Sequence, residues 1–314
     1  MIVTLTPNPS VDRTITIPQI RFNEVLRTNK VRLDWGGKGF NVSRSLRVLG
    51  HDSLALGLVG GGAGIMVEDG LNKLGIQTDF VWLDEETRTN TIVLEEGGEW
   101  YIKLNEPGPH VPEETIVDLF EKALSYAHEG DIWVVCGSLS QDMPDDFYAR
   151  LIRLLNEKRV KVFFDANEQA LKLGCMEGPF LVKPNADEAE AFVGFQIKNH
   201  EDGKRAVLPF LRMGIQTVAL TIGNLGLLLA TQQEMVLAVP PKVPVRNVTG
   251  AGDSLMAGLV AAISQDLPTT EIARWGVAAG TTSVMQEGIS QISYADVMAM
   301  MPRVDVRLIN VMGN

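Results

Sequence analysis

The order of apolar and polar positions divides the chain into two rhythms. Ile2–Thr6 opens as a short β-branched run and predicts a first strand, leading into the turn Pro7-Asn8-Pro9-Ser10. Residues 14–17 and 24–27 then alternate apolar with polar, and so do 90–95 and 99–104 on either side of Gly97-Gly98. Period-two alternation predicts strands with one covered face, the later pair as a hairpin. After Gly36-Gly37-Lys38-Gly39 the rhythm becomes helical: Phe40, Val42, Leu46 and Leu49 form a stripe, closed by Gly50. Further strands are predicted at 53–58, 132–136, 160–165 and 217–221, with helices at 65–74, 113–128 and 145–157. Apolar stripes at 254–263, 271–286 and 294–301 make the last third helical.

The runs at 132–136, 160–164 and 217–221 are apolar throughout, as in strands buried on both faces. A parallel sheet covered by helices has this pattern. The expected fold is therefore a doubly wound α/β core. The alternating segments, about 12–35 and 88–105, fall outside that rhythm and would form a small β-sheet lid over one end. No repeat, low-complexity tract or linker interrupts the chain, so 1–314 reads as one domain.

Composition narrows the function classes. With 39 acidic against 28 basic residues the net charge is −11, so nucleic acid is not an expected partner. The first residues lack the basic and long apolar regions of a signal peptide, and apolar tracts break before about 20 residues, so no membrane association is expected. Cys136 and Cys175 show no metal-ligand spacing, and the chain reads as cytoplasmic.

Candidate chemistry lies where glycine turns enter helices, because open sheets bind ligands at the carboxyl ends of their strands. In Thr249-Gly250-Ala251-Gly252-Asp253-Ser254, small residues let a ligand approach the backbone and the helix's first amides face an anion. An acid at a helix start is ordinary capping chemistry, but capping does not explain Gly-Ala-Gly before it. A phosphoryl transfer uses both: amides stabilise the developing charge and a carboxylate takes the hydroxyl proton. Gly36-Gly37-Lys38-Gly39-Phe40-Asn41 is a second such turn, suited to a polar substrate or simply a solvated loop. Lys183-Pro184-Asn185-Ala186-Asp187-Glu188 reads first as a capping box; its carboxylate would also suit hydrated Mg²⁺. Thr221-Ile222-Gly223-Asn224-Leu225-Gly226 is either a plain turn or a nucleotide cradle. Arg27, Arg88 and Lys103 would make the lid cationic, which suits a phosphorylated substrate. No G-x-x-x-x-G-K-[ST] and no G-x-G-x-x-G occurs, which excludes a P-loop and the usual dinucleotide fingerprint.

The ordered set Asn8-Pro-Ser-Val-Asp12, Gly36-Gly-Lys-Gly-Phe-Asn41, Asn105-Glu-Pro-Gly-Pro109, Gly137-Ser-Leu139, Lys183-Pro-Asn-x-x-Glu188 and Gly250-Ala-Gly-Asp-Ser254 resembles the PfkB branch of the ribokinase-like carbohydrate kinases. Within it, the chain is similar to the group holding 1-phosphofructokinase, tagatose-6-phosphate kinase and the minor bacterial 6-phosphofructokinase. The resemblance implies a nine-stranded type of ribokinase-like core with a β lid, ATP and Mg²⁺, and phosphorylation of a ketohexose phosphate. It implies Asp253 as catalytic base and Gly250, Ala251 and Gly252 as anion hole. Asp12, Gly37, Lys38, Asn41 and Ser138 would hold the sugar, and Arg88 with Arg27 its phosphate. Lys183, Asn185, Thr221, Gly223 and Gly226 would line the nucleotide site, and Glu188 would order magnesium. Members of the family pair through their lids, so a homodimer is implied.

The chain departs from the family at Ser140, where proline is usual, at Asp165-Ala-Asn-Glu, and at Gly280-Thr281-Thr282 near the expected adenine site. Val25 stands where the minor 6-phosphofructokinase carries a lysine, which favours fructose 1-phosphate, giving fructose 1,6-bisphosphate, over fructose 6-phosphate. Tagatose 6-phosphate is the other enzymatic reading. A non-catalytic sugar-phosphate sensor is the reading from another class, although a sensor has no need of a base at Asp253.

Overall fold

Neighbouring residues of the central strands bury themselves in two different cores. Along Ile132–Cys136, Trp133 and Val135 belong to one apolar cluster, while Ile132, Val134 and Cys136 belong to another. Phe164 and Phe163 divide in the same way. Side chains alternate across a strand, so such a run needs helices on both faces.

The computed structural model describes residues 1–97, 100–286 and 292–309. β1 (Ile2–Thr6) is followed by β2 (Ser10–Ile17), β3 (Lys30–Gly36) and α1 (Lys38–Val48). Next come β4 (Leu54–Gly60), α2 (Gly61–Lys73), the short β5 (Gln77–Thr78) and β6 (Val81–Leu83), then β7 (Thr89–Glu95) and β8 (Tyr101–Leu104). Alternation continues through α3 (Glu113–Tyr126), β9 (Ile132–Cys136), α4 (Phe147–Glu157), β10 (Lys161–Asp165), α5 (Glu168–Met176) and β11 (Leu181–Val182). After α6 (Ala186–Val193) and α7 (His200–Arg212) come β12 (Thr217–Thr221), β13 (Leu227–Thr231) and β14 (Met235–Val239). The chain closes with α8 (Ala251–Ile263), α9 (Thr269–Val284), α10 (Tyr294–Met300) and β15 (Asp305–Ile309).

Among the described residues the main sheet has eleven strands in the order β15-β14-β13-β12-β11-β10-β9-β1-β4-β5, with β6 also pairing to β4. Pairing is parallel from β12 to β5 and antiparallel from β12 to β15. Helices α3 to α7 supply one core and α1, α8, α9 and α10 the other. This is a ribokinase-like α/β fold. A separate four-stranded sheet runs β3-β2-β7-β8, built from the two alternating segments. No helix among the described residues is long and apolar enough to cross a membrane.

Several elements differ from expectation. Residues 24–27 form no strand: Val25 is 93% exposed with nothing to pack against. Thr28 Oγ1 and Asn29 N instead donate to the Thr16 carbonyl, so pairing starts at Lys30 opposite Thr16. The helix expected at 65–74 begins at Gly61, where glycines are poor helix formers; Glu86 accepts from Ala63 N and supplies the favourable negative end. The eleven strands exceed the nine-stranded core that the resemblance implies. The last third also contains β15, an exposed edge strand with no covered stripe to reveal it. Gly98 and Glu99 of the expected hairpin lie outside the described residues.

The position of α8 depends on a close approach to α9. A Cβ at Gly258 would stand 2.5 Å from the Trp275 carbonyl oxygen, a backbone atom with little freedom to retreat. In an open helix Gly→Ala would stabilise by about 1 kcal/mol, whereas overpacking costs about 1–3 kcal/mol. Gly258→Ala is therefore expected to lower the Tm by about 2–6 °C in a thermal melt. A Tm at or above wild type would show that the crossing yields.

Candidate active site

The strand order reverses between β1 and β9. From β1 the chain moves outward to β4, and after returning at β9 it moves the other way to β10 and β11. The carboxyl ends of strands at such a switch leave a crevice. The first turns of α1 and α8 meet over this end: Asn41 Nδ2 donates to Asp253 Oδ2 at 2.8 Å, and the Ser45 and Ser254 hydroxyls are 3.2 Å apart.

At the centre, one carboxylate joins two lysines. Asp165, the last residue of β10, accepts from Lys38 Nζ on Oδ1 and from Lys183 Nζ on Oδ2, both at 2.8 Å. Burial alone would push the Asp165 carboxyl up, but Lys183 and Lys38 outweigh it and hold the group down at about 2. Burial likewise works against the Lys38 ammonium, and Asp165 overcomes it, raising that pKa. Lys183 also faces the first turn of α8, since a Cβ on Gly252 would lie 3.4 Å from its Nζ.

Asp253 lies in the first turn of α8 behind Gly250, which takes the left-handed conformation at φ 81° that glycine adopts freely. Its side chain is buried. Burial pushes the carboxyl up to about 6, Asp165 pushes the same way, and Lys38, Asn41 and Lys183 pull it down. A carboxylate balanced near neutrality can both accept a proton and remain ionised at pH 7.

Glu188 and Asn185 form the capping box the sequence suggested. Asn185 Oδ1 accepts from Glu188 N and Glu188 Oε2 from Asn185 N, each at 2.9 Å. The Glu188 carboxyl is nevertheless half-buried and raised, first by burial and then by Asp165, while Lys38 and Lys183 oppose. The capping carboxylate thus belongs electrostatically to the same cluster. Thr221 sits beside it, with its N–H donating to the Pro184 carbonyl at 3.0 Å and a parallel bridge to Asn185. Gly223 and Gly226 form the tight turn that follows. A Cβ at Gly226 would meet the Ala238 carbonyl oxygen at 2.1 Å.

The small sheet contributes the opposite wall. Asp12 Oδ1 accepts from Ser10 Oγ and Asn90 Nδ2, both at 2.8 Å. The same carboxylate fixes the next turn, because a Cβ on Gly36 would fall 2.5 Å from its Oδ2. Gly37, at φ 130°, leads directly into Lys38. Arg88 donates to the Asn8 carbonyl at 2.9 Å, the Glu106 carbonyl at 3.0 Å and Ser138 Oγ at 3.2 Å, which ties the small sheet to the ends of β1 and β9. Of the residues singled out in the sequence, Arg27 stays apart in the exposed segment between β2 and β3, and Lys103 on the exposed strand β8.

Asp165, Asn8, Asn90 and Arg44 are added by the structure. Asp165 could have been found as an acid ending a doubly buried strand; Asn90 follows Arg88 closely in the same strand entry. Arg44 carries no local signal, since on a helix it reads as a solvated face.

A model of the pfkB family carbohydrate kinases matches residues 6–294. The chain belongs to that family. It is a carbohydrate kinase, a phosphotransferase with an alcohol group as acceptor. It is 32% identical over 306 residues to the 1-phosphofructokinase of Bacillus subtilis (strain 168), covering 98% of this chain and 99% of that protein. It is 29% identical to a tagatose-6-phosphate kinase of Staphylococcus epidermidis, covering 93% and 95%. Among solved structures, phosphofructokinase-2 from Escherichia coli in complex with potassium superposes with a TM-score of 0.91 at 27% identity, covering 96% of this chain and 98% of that one.

Removing the central charge should expose its structural weight. Asp165→Asn leaves Lys38 and Lys183 facing each other and is expected to destabilise by about 3–5 kcal/mol in urea unfolding. The folded-state pKa of Asp165 is depressed from 3.8 to about 2, so its stabilisation is present above pH 3.8 and fades as pH falls toward 2. The wild type should therefore lose stability through that window and Asp165→Asn should lose less. Parallel acid profiles for the two proteins would refute this account.

Proposed function

We propose that this kinase transfers the γ-phosphoryl group of ATP to a free hydroxyl of a ketohexose phosphate, with fructose 1-phosphate as acceptor and fructose 1,6-bisphosphate as product. The observation that carries the reading is Asp253: a buried carboxylate raised to about 6, at the start of a glycine-led helix, within reach of two lysines' field. Asp253 accepts the hydroxyl proton as the acceptor oxygen attacks phosphorus, and the first-turn amides at Gly250, Ala251 and Gly252 stabilise the charge that develops. Lys183, beside Gly252, and Lys38 offset the phosphate charge. Asp12, Gly37, Asn41 and Ser138 hold sugar hydroxyls, while Asn185, Thr221, Gly223 and Gly226 line the nucleotide side.

The donor set fits Mg²⁺ bound mainly through phosphate oxygens and water. Among the described residues no three His, Cys, Asp or Glu are grouped to cage a metal, and Mg²⁺ in phosphoryl-transfer sites uses one or two carboxylates. Glu188 would hold it through its free carboxylate valence. When bound, the ion neutralises charge on the transferring phosphoryl group.

Fructose 1-phosphate is favoured by the similarity to a 1-phosphofructokinase over 98% of this chain and by Val25 in place of a cation. Tagatose 6-phosphate remains the second reading, on the similarity to a kinase of that name. The small sheet acts as a lid over the sugar, with Arg88 at the acceptor's phosphate; Arg27, in the exposed loop, reaches it only if that loop folds inward or belongs to a paired subunit. Val31 and Leu33 leave the outer face of the small sheet apolar and exposed, a surface suited to pairing two copies through their lids.

A coupled assay of ADP release across fructose 1-phosphate, fructose 6-phosphate, tagatose 6-phosphate and unphosphorylated ketohexoses tests the acceptor. Fructose 1-phosphate should give the highest kcat/KM, and preference for a free sugar would overturn the reading. Asp253→Asn should lower kcat by about 10²–10⁴ with substrate affinity retained. In the wild type, kcat/KM should fall as pH drops through about 6, the carboxyl's own value, because only the ionised base accepts a proton. Near-normal turnover by Asp253→Asn would remove the base from the mechanism. Arg88→Ala should raise KM for the phosphorylated sugar at least tenfold and leave KM for ATP within about twofold, as for loss of a paired phosphate contact. A selective rise in KM for ATP would show Arg88 to serve the nucleotide instead.

A further inference from the structure

Arg44 stands on α1 one turn beyond Asn41, half-buried beside the end of β3. Its Nη2 donates to the carbonyl of Trp35 near the end of β3, and its Nη1 donates to Asn41 Oδ1 at 3.4 Å. Three carboxylates attract the guanidinium: Asp34, Asp12 and Asp253. Asp12 and Asp34 are directly opposed across β2 and β3, a like-charge pair that is unfavourable unless cations lie close. Arg32 takes one side, donating to Asp34 Oδ2 at 2.7 Å, and Arg44 approaches from the helix.

The contact with Asn41 has a consequence for the site. An amide's oxygen and nitrogen have nearly the same shape, so its orientation is set by its partners. Asn41 lies between a guanidinium, which can only donate, and a carboxylate, which when ionised can only accept. That clamp admits one orientation, with Oδ1 toward Arg44 and Nδ2 toward Asp253. Without Arg44 the amide is free to turn its oxygen to Asp253, where only a protonated carboxyl can bond to it.

We propose that Arg44 is a positioning residue for the transfer reaction: it fixes the Asn41 amide as a donor to Asp253 and, through the Trp35 carbonyl, ties that arrangement to the small sheet. The proposal rests on Asp253 acting as the base. Arg44 itself has no need to touch the substrate. Its effect passes through Asn41, with a direct electrostatic contribution from its own charge. The other charged or titratable groups acting on Asp253 are Lys38 from α1, Asp165 at the end of β10 and Lys183 after β11; the Cys136 thiol at the end of β9 also feels Asp253 but is pushed up and stays neutral. None of these is altered by replacing Arg44.

The test is the pH profile of kcat/KM for Arg44→Met, Arg44→Lys and Asn41→Ala, and for each Arg44 variant combined with Asn41→Ala. A donor and a positive charge both favour the ionised base, so losing them moves its pKa upward. Arg44→Met should shift the acid limb up by about one pH unit, lower activity at pH 6.5 more than at pH 8.5, and leave KM for ATP within about twofold. Arg44→Lys, which keeps the charge without the fork, should shift the limb by less than half as much. In the Asn41→Ala background either Arg44 substitution should move the limb by clearly less than in the wild type. An unmoved limb with a uniform fall in kcat would reduce Arg44 to a structural role, and equal shifts in both backgrounds would show that it does not act through Asn41. If Arg44→Met yields no folded protein, the Arg44→Lys cycle decides by the same two criteria. Asp253→Asn separates the two levels: near-normal turnover there defeats the base assignment itself, whereas a loss of turnover there with an unmoved Arg44 limb defeats only this inference.

Discussion

A carboxylate buried between two ammonium groups links parts of the chain that the sheet alone would not bring together. Asp165 ends β10, Lys183 follows β11, and Lys38 opens α1 from the far side of the strand-order reversal. Burying Asp165 and Lys183, with Lys38 half-buried beside them, carries a desolvation cost that is recovered only when each charge finds a close partner. Here both carboxylate oxygens are taken, and the group balances to one net positive charge. That surplus bears on Asp253, which would otherwise be driven further from its ionised form by burial and by Asp165. The poise of the Asp253 carboxyl near neutrality is thus a small difference between large opposing effects.

The same arrangement reconciles an acidic protein with anionic substrates. The chain as a whole carries −11, yet at the carboxyl end of the sheet two lysines and the first turns of two helices converge. Local cations and oriented amides act over a few ångströms, where solvent does not screen them, whereas the distributed surface charge is weakened beyond roughly 10 Å at physiological salt. A site can therefore be locally electropositive inside a molecule that repels extended polyanions.

Much of this was legible in the sequence because its signals were local. The apolar runs at 132–136 and 217–221 became β9 and β12 with the same bounds, since burial on both faces leaves little choice of residue. The glycine turns before α1 and α8 stand out because small residues so close together mark a backbone that something must approach closely. What escaped was long-range. Asp165 was read as a departure from a family motif, and nothing near it in the chain announces lysines 127 positions before it and downstream at Lys183. The alternation at 24–27 gave the opposite error: the pattern of a strand was present, but among the described residues no neighbouring strand pairs with it. Arg44 combines both difficulties, being helical, charged and ordinary until Trp35 and Asn41 are placed around it.

The two sheets are joined by side chains and short turns, with no strand pairing between them among the described residues. The chain passes from β1 to β2 through Pro7-Asn8-Pro9, where two prolines restrict the backbone, and buried Asn8 donates to the Pro107 and Leu139 carbonyls at 3.0 and 3.1 Å. Arg88 crosses the same junction to the Asn8 carbonyl and Ser138, and Arg44 crosses it to Trp35. Each of these links lies on the side of the small sheet that faces the candidate site. The far rim, by contrast, is the exposed run 18–29 with Phe22 at 80% exposure, which has few contacts to resist local opening. Motion of the small sheet would therefore be smallest at Asp12 and Asn90 and largest at the rim. A sheet held in that way can shift at its rim without disturbing the hydrogen bonds that aim Asn41 at Asp253.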